Sequence, residues 1–287
     1  METIGDNIWR IEGRKPGPHL LVLGGVHGNE RTGIQAVRWL LERFGVKGER
    51  LAEGTLTVAL GNPEAVRRNT RGSAPHRDLN RCFKADLLAA PKTYEEKRAA
   101  ILATFIAEAD VLVDLHAVNT PSKPFVVATE ADPQRLELGA AFPCDTYVVA
   151  PDEIIAGSTD GWIGKCGGYG IGYESGHMKD LTRMAEVKAG IDRIMRKLGL
   201  MRGHRGLTPV SQSVIAIEEP LILEGESFTY AADRGKTSFE PVAKGDILGL
   251  MDGKPLKAPF SGLLLFPKPK RLHKPGSPVG FLAVEEK

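Results

Sequence analysis

The sequence is short of the features that mark secreted, membrane-spanning or nucleic-acid-binding chains. Cysteine is scarce, with Cys82, Cys144 and Cys166 the only three in 287 residues. They are odd in number, far apart and never in a C-x-x-C pair. That favours free thiols in a reducing cytoplasm over a disulfide framework. Neither sign of charge is in excess: 38 Lys and Arg stand against 36 Asp and Glu, a net of +2. This balance argues against a nucleic-acid partner or an anionic membrane surface. Apolar runs stop at about six residues, against the roughly 18 needed to span a bilayer. The opening "METIGDNIWRIEG" has no basic start followed by an apolar stretch, so no signal peptide is expected. Tandem repeats and low-complexity tracts are also missing. What remains is an ordinary globular composition, 42 % apolar, long enough for one large domain or a large one with a small companion.

Over the first two hundred residues strand-like and helix-like segments alternate. "HLLVLGGV", "TLTVALGN", "VLVDLH", "PFVVAT", "TYVVA" and "YGIGYES" read as short buried strands. Helical spacing runs from Ile34 to Phe44, with Gly45 as the expected stop. "YEEKRAAILATFIAEA" and "PQRLELGAAF" read as further helices. "DLTRMAEVKAGIDRIMRKLG" is expected to be the longest helix, capped by Asp180 and ended by Gly199. Such alternation predicts an α/β layer fold with a largely parallel sheet. After "MRGHRG" the chain becomes rich in Gly and Pro, with short β-type runs and no convincing helix. A small all-β domain is expected from about residue 205. Its "GDILGLMDGKPLKAPFSG" has the cadence of modules that carry biotin or lipoate, with Lys254 near the modified position. The flanking residues do not match such a site, and the cadence specifies turns.

The candidate chemistry sits at strand ends, where parallel sheets place their sites. "LLVLGGVHGNERTG" carries His27 and Glu30 out of a buried strand into a glycine-rich turn, and "VLVDLHAVN" ends on His116. Two histidines, one glutamate and a water form the ligand set of a catalytic zinc site. Asp114, two residues before His116, shares its face of the strand and can accept the far N–H of a ligating imidazole. His-x-x-Glu alone has little specificity. "GNPEAVRRNTRGSAPHRDLNRCF" adds Arg71, Asn80 and Arg81, the last two an adjacent amide and guanidinium suited to a carboxylate. Arg67, Arg68 and Arg77 are expected to be solvated. Glu174, in "GYGIGYESGHMKD", ends a strand of small and apolar residues. A carboxylate there either caps the next helix, pairs with His177, or acts as a general base.

The stretches "GGVHGNERTG", "GNPEAVRRNTR", "RDLNRCF", "VDLHA" and "GYESG" occur in an order that resembles the succinylglutamate desuccinylase/aspartoacylase family of zinc hydrolases, relatives of the zinc carboxypeptidases. The match covers roughly residues 20 to 200, with a weaker likeness at the C-terminus. The resemblance implies a carboxypeptidase-like three-layer α/β catalytic domain over 1–204, with a mostly parallel mixed sheet, and a barrel-sandwich-like β domain over 205–287. It implies one Zn²⁺ per chain on His27, Glu30 and His116. Arg71 would polarise the scissile carbonyl, Asn80 and Arg81 would hold a substrate carboxylate, and Glu174 would be the catalytic acid/base. Aspartoacylases carry a further arginine upstream of that glutamate for a second carboxylate. The corresponding run here, "AGSTDGWIGKCGGYG", has Lys165 as its only cation. Desuccinylases have a basic residue shortly after D-L-H-x-A, where this chain has Asn119. The acyl group is therefore left open.

The expected activity is hydrolysis of the amide bond of a small N-acyl amino acid or N-acyl amine. A zinc carboxypeptidase acting on short peptides would use the same residues. A non-catalytic metal-binding module would instead close its metal with four protein ligands, usually including cysteine. The expected partner is a small substrate bearing a carboxylate, with a homo-oligomer left open because family members often self-associate.

Overall fold

Burial on both faces explains why the strand segments are apolar throughout rather than alternating. The computed structural model describes residues 1–74, 77–203 and 211–286. Its strands are β1 (Glu2–Gly5), β2 (Ile8–Glu12), β3 (His19–Gly24), β4 (Thr55–Leu60), β5 (Val111–Val118), β6 (Phe125–Ala128), β7 (Thr146–Val149), β8 (Tyr169–His177), β9 (Ser213–Ile222), β10 (Phe228–Tyr230), β11 (Glu240–Val242), β12 (Ile247–Met251), β13 (Lys254–Lys257), β14 (Gly262–Leu265) and β15 (Pro278–Glu285). The helices are α1 (Arg31–Leu41), α2 (Pro63–Arg68), α3 (Ala85–Ala89), α4 (Tyr94–Glu108), α5 (Pro133–Gly139), α6 (Thr159–Lys165) and α7 (Met184–Lys197). Along β3, Leu20 and Val22 join a core shared with α1, α5 and α7. Leu21 and Leu23 join a second core beneath α4 and α6. Two helical layers thus enclose one sheet, each fully buried Leu or Val being worth about 1.5–3 kcal/mol.

The large sheet runs β1-β2-β4-β3-β5-β8-β6-β7-β9-β15-β14-β11. Its centre, β4-β3-β5-β8, is parallel, as are β6-β7-β9, while β6 is antiparallel to β8. The expected mixed, mostly parallel α/β architecture is therefore present. Among the described residues from 211 onward the regular elements are strands, apart from a short 3₁₀ turn at Lys270–Leu272. Its β9 pairs with β7, so β9, β15, β14 and β11 extend the large sheet rather than standing apart. Ile215, Ile217 and Phe281 share a core with Phe125 and Val148. A separate three-stranded antiparallel sheet, β10-β12-β13, carries Lys254 directly after the Asp252–Gly253 turn, where both residues have positive φ (48° and 79°). The expected domain boundary at 204/205 lies outside the described residues.

Local differences have physical causes. Gly45 does not end its helix: α1 continues as a π-turn through Glu42–Val46, and Gly48, at φ 65°, turns the chain away. A Cβ on Gly45 would lie 2.5 Å from the terminal methyl of the exposed Met1 side chain, which can move aside. Asp180 does not cap α7. Its carboxylate accepts from the N–H of Thr182 at 2.9 Å, and the helix starts at Met184. Gly199, at φ 81°, does follow the end of α7. The longest helix is α4, at 15 residues, fixed by a Thr93/Glu96 capping box. All three cysteines are free thiols, Cys82 and Cys144 buried and Cys166 exposed. Among the described residues no helix is long and apolar enough to cross a membrane.

Candidate metal centre and active site

The parallel strands β3, β5 and β8 finish side by side, and their ends gather the candidate residues. Beyond β3 the chain reverses at Gly25, where φ is 70°. Gly28 then passes so close to α2 that a Cβ would fall 1.9 Å from the Ala65 carbonyl carbon. This packing holds a tight turn in which the N–H of Glu30 donates to the carbonyl of His27 (3.2 Å). Both side chains consequently face the same point, with His27 Nδ1 2.8 Å from Glu30 Oε1. Glu30 occupies the N-cap of α1 but makes no cap bond. Its Oε2 instead accepts from the Ala117 N–H (3.0 Å) and lies 3.1 Å from His116 Nδ1.

Suitable ligand atoms of His27, Glu30 and His116 all lie within 4.8 Å of one another, and all three residues are buried. Donors on a tetrahedral zinc shell are about 3.3 Å apart, so this spacing suits one small divalent ion. The far nitrogens are both held by carboxylates. His27 Nε2 is 2.9 Å from Asp78 Oδ1, and His116 Nε2 is 2.9 Å from Asp114 Oδ2. That fixes each ring so that Nδ1 points inward. Despite its closeness to Glu30, buried His27 Nδ1 has no directed hydrogen-bond partner. A lone pair held against a carboxylate oxygen, away from water, is what a cation would satisfy. Among the described residues the cluster offers three candidate ligands and no cysteine.

The charges within the cluster support one another. Burial disfavours charge on His116, but Asp114 and Glu30 outweigh it and raise its pKa well above 6.5. His27 is raised too, Glu30 and Asp78 overcoming burial and Arg71. Glu30, although buried, is held below the usual carboxylate range by the two imidazoles. Asp78 is likewise lowered, against burial, by Arg71 and His27.

Arg71 lies beside this cluster rather than apart from it. Its Nη2 donates to Asp78 Oδ2 (2.9 Å) and its Nη1 to Glu30 Oε1 (3.3 Å), with about a third of the side chain exposed. Asn80 follows Asp78, which accepts from the Asn80 N–H at 3.0 Å. The Thr159 N–H, at the start of α6, donates to Asn80 Oδ1 (3.0 Å), which orients the amide with Nδ2 as the outward donor. The Thr159 hydroxyl donates to Asp114 Oδ2 (2.7 Å), so one residue ties this amide to the support of His116. Arg81 is half-buried and donates to the Asn80 carbonyl. Glu174 stands directly opposite His116 in the β5–β8 register. Its Oε2 is buried without a hydrogen-bond partner. Burial, reinforced by Glu30 and opposed by His116, His27 and Arg71, pushes its carboxyl up to about 7. Arg67 and Arg68 pair at the surface with Glu64, and Arg77 with Glu96. Lys165 is bound to Asp152 (2.6 Å).

Asp78 and Thr159 are the site neighbours that sequence reasoning missed. The signal for Asp78 was present: a ligating imidazole needs a partner for its second nitrogen, and Asp78 is the sole aspartate between Gly61 and Phe83. Thr159 had no such signal, because "STDGWIGK" is too short and glycine-rich to read as a helix.

Fold and site together define a class: a three-layer α/β protein with a candidate divalent-metal centre at the strand ends of its sheet. The family profile for the succinylglutamate desuccinylase/aspartoacylase catalytic domain matches residues 16–198. The chain belongs to that family. It is 36 % identical over 129 residues to a probable aspartoacylase of Parasynechococcus marenigrum, covering 42 % of this chain and 41 % of that one. It is 35 % identical over 111 residues to an N-acyl-aromatic-L-amino acid amidohydrolase (carboxylate-forming) of Danio rerio, covering 35 % and 34 %. These matches thus span about two-fifths or less of the relatives' length. In three dimensions it is similar to the succinylglutamate desuccinylase of Chromobacterium violaceum, with a TM-score of 0.75, 19 % identity, and coverage of 99 % of this chain and 90 % of that one. At that identity the likeness speaks for the fold.

Proposed function

We propose that the protein is a zinc-dependent amidohydrolase that removes the acyl group from a small N-acyl amino acid or related N-acyl amine. The observation that carries this reading is the convergence of His27 Nδ1, His116 Nδ1 and a Glu30 oxygen, each far imidazole nitrogen braced by an aspartate. Relatives named as a probable aspartoacylase, an N-acyl-aromatic-L-amino acid amidohydrolase and a succinylglutamate desuccinylase support it.

When bound, zinc supplies a Lewis acid that brings water's deprotonation into the neutral range. His27, Glu30 and His116 would hold it. Glu174 Oε2 has no competing donor, so it is free to take a proton from the attacking water. As the oxygen of that water bonds to the acyl carbon, charge grows on the carbonyl oxygen, and Arg71 offers guanidinium donors to it. Glu174 then gives its proton to the amine nitrogen as the C–N bond breaks, leaving a carboxylic acid and an amine, and the acid's remaining proton passes to the amine or to solvent. Asn80 Nδ2 and the Arg81 guanidinium would hold the substrate carboxylate and so place the amide.

The test is a panel of N-acetyl, N-succinyl and longer N-acyl amino acids beside short peptides, given to zinc-loaded protein. The expected result is release of free amino acid from N-acyl substrates well ahead of peptide cleavage. Faster cleavage of peptides would overturn the reading in favour of a carboxypeptidase.

A pH effect follows from the raised pKa of His116. At pH 7 the metal-free ring carries an extra proton, and a metal ligand must be bare at Nδ1. Zinc binding at pH 7 should therefore expel at least one proton per ion, with His27 and Glu174 adding to the release and affinity rising as pH rises toward the rings' pKa. Calorimetry in buffers of differing ionisation enthalpy measures this. An enthalpy independent of buffer would contradict it.

A further inference from the structure

Helix α4 buries two charged side chains in its first turns, Glu95 at 0 % and Arg98 at 3 % exposure. Both reach the segment Leu60–Ser73, which runs from the end of β4 through α2 to the loop bearing Arg71. Arg98 holds its start: Nε donates to the Gly61 carbonyl (2.8 Å) and Nη2 to the Leu60 carbonyl (2.6 Å). Glu95 ties the start to the end. Its Oε1 accepts from the Ser73 N–H (2.8 Å), the Ser73 hydroxyl (2.5 Å) and Asn62 Nδ2 (3.4 Å). Asn62 is in turn the N-cap of α2, its Oδ1 accepting from the Ala65 N–H (3.0 Å). The metal-site turn packs on that same helix, where Gly28 meets Ala65.

Arg71 lies between these fixed points. Helix α2 ends at Asn69, whose φ is 54°, and the Thr70 N–H returns to the Ala65 carbonyl (3.1 Å). The Arg71 carbonyl accepts from the N–H of Gly28 (3.4 Å), in the turn that carries His27 and Glu30. Two residues further on, Ser73 is locked to Glu95. Asp78 and Glu30 hold the guanidinium head, whereas Glu95 holds the backbone from which it extends. The remaining buried face of α4, with Ala99, Leu102, Ala103 and Ile106, packs in an apolar core. Burying a carboxyl at Glu95 carries a desolvation cost, and an apolar residue of similar size would serve packing at least as well. What the carboxyl adds is a directed link between Asn62 and Ser73.

We infer that Glu95 is a positioning residue for Arg71: by joining Ser73 to Asn62 it sets where the guanidinium stands relative to His27, Glu30 and His116. The inference rests on the proposed amide hydrolysis for its effect on turnover, whereas the placement itself requires no reaction. A guanidinium displaced by about 1 Å from the carbonyl oxygen loses much of its hold on the developing charge, up to about 10²-fold in rate. The imidazoles keep their own supports in Asp78 and Asp114, and Asn80 keeps Thr159, so zinc content and KM should change little.

The test compares the zinc-loaded full chain with its Glu95→Ala, Glu95→Gln, Ser73→Ala and Arg71→Ala variants, and with Glu95→Ala and Ser73→Ala each combined with Arg71→Ala. Glu95→Ala should keep its zinc and lower kcat for an N-acetyl amino acid by about tenfold to a hundredfold, with KM within about threefold. Glu95→Gln, which still accepts from the Ser73 N–H, should recover most of the loss. In the Arg71→Ala background Glu95→Ala should cost less than about twofold, because its effect runs through Arg71. Equal losses in both backgrounds would mark general damage and refute the inference. Ser73→Ala removes the hydroxyl link alone and serves where Glu95→Ala does not fold: it should cost about two- to fivefold, again only where Arg71 is present. NMR of the Arg71 side-chain N–H, assigned by its absence in Arg71→Ala, reads placement without turnover. Its signal should shift in Glu95→Ala and return toward the wild-type position in Glu95→Gln, and an unmoved signal would overturn the inference. A signal that moves with Glu95 in a protein that hydrolyses no N-acyl amino acid would overturn the proposed function and leave this inference standing.

Discussion

Zinc-loaded Glu174→Gln protein is expected to keep about one ion per chain and to lose turnover by roughly 10²- to 10⁴-fold. Glutamine preserves the shape of the side chain and its place opposite His116 while removing the group that moves the proton. Without metal, Glu174 sits near 7, chiefly because burial disfavours its charge. A dication among the neighbouring ligands adds attraction for the carboxylate, so in the loaded site the pKa falls and the base form prevails at neutral pH. The acidic limb of kcat/KM should therefore lie below about 7 and be carried by Glu174. Metal content by elemental analysis, with turnover of an N-acyl amino acid, checks the pair of claims. A variant that loses zinc along with activity would make Glu174 a ligand. One that keeps both would remove it from the reaction.

His116→Ala should have the other large effect, abolishing both tight zinc binding and measurable hydrolysis. It removes one of three ligands and also the ring that Asp114 and Glu30 brace. Asp114 would be left buried, facing only the Thr159 hydroxyl. Comparison with Asp114→Asn separates ligand from support: that variant keeps all three ligands but loses the charge behind His116, and should cost about 10- to 100-fold in zinc affinity. Zinc titration against a competing chelator ranks the two. Equal effects, or an His116→Ala protein that binds zinc normally, would contradict the assignment.

Much of this arrangement was legible in the sequence, for reasons that can be named. The buried strands announced themselves because both faces of the sheet are covered, leaving runs such as Leu20 to Leu23 without polar interruption. His27, Glu30 and His116 were legible because a polar residue directly after such a run must lie at a strand end, where the parallel strands converge. The edge was not legible: β1 and β2 are short and carry polar residues at alternate places, and Asn7 with positive φ is their turn. Helix ends were misread at Gly45 and Asp180: at the first the chain runs on as a π-turn to the positive-φ Gly48, and at the second a local Asp–Thr bond prevails over capping. The pairing of β9 with β7 lay beyond reach, since backbone hydrogen bonding between distant strands leaves little trace in side-chain type.

The centre of the account is one metal ion held through the Nδ1 atoms of two histidines. The most direct measurement is a crystal structure of zinc-loaded protein with anomalous scattering recorded at the zinc edge. The predicted peak lies about 2.0–2.2 Å from His27 Nδ1, His116 Nδ1 and a Glu30 oxygen, with a position left for solvent. A peak elsewhere, ligation through Nε2, or a fourth protein ligand closing the site would contradict it.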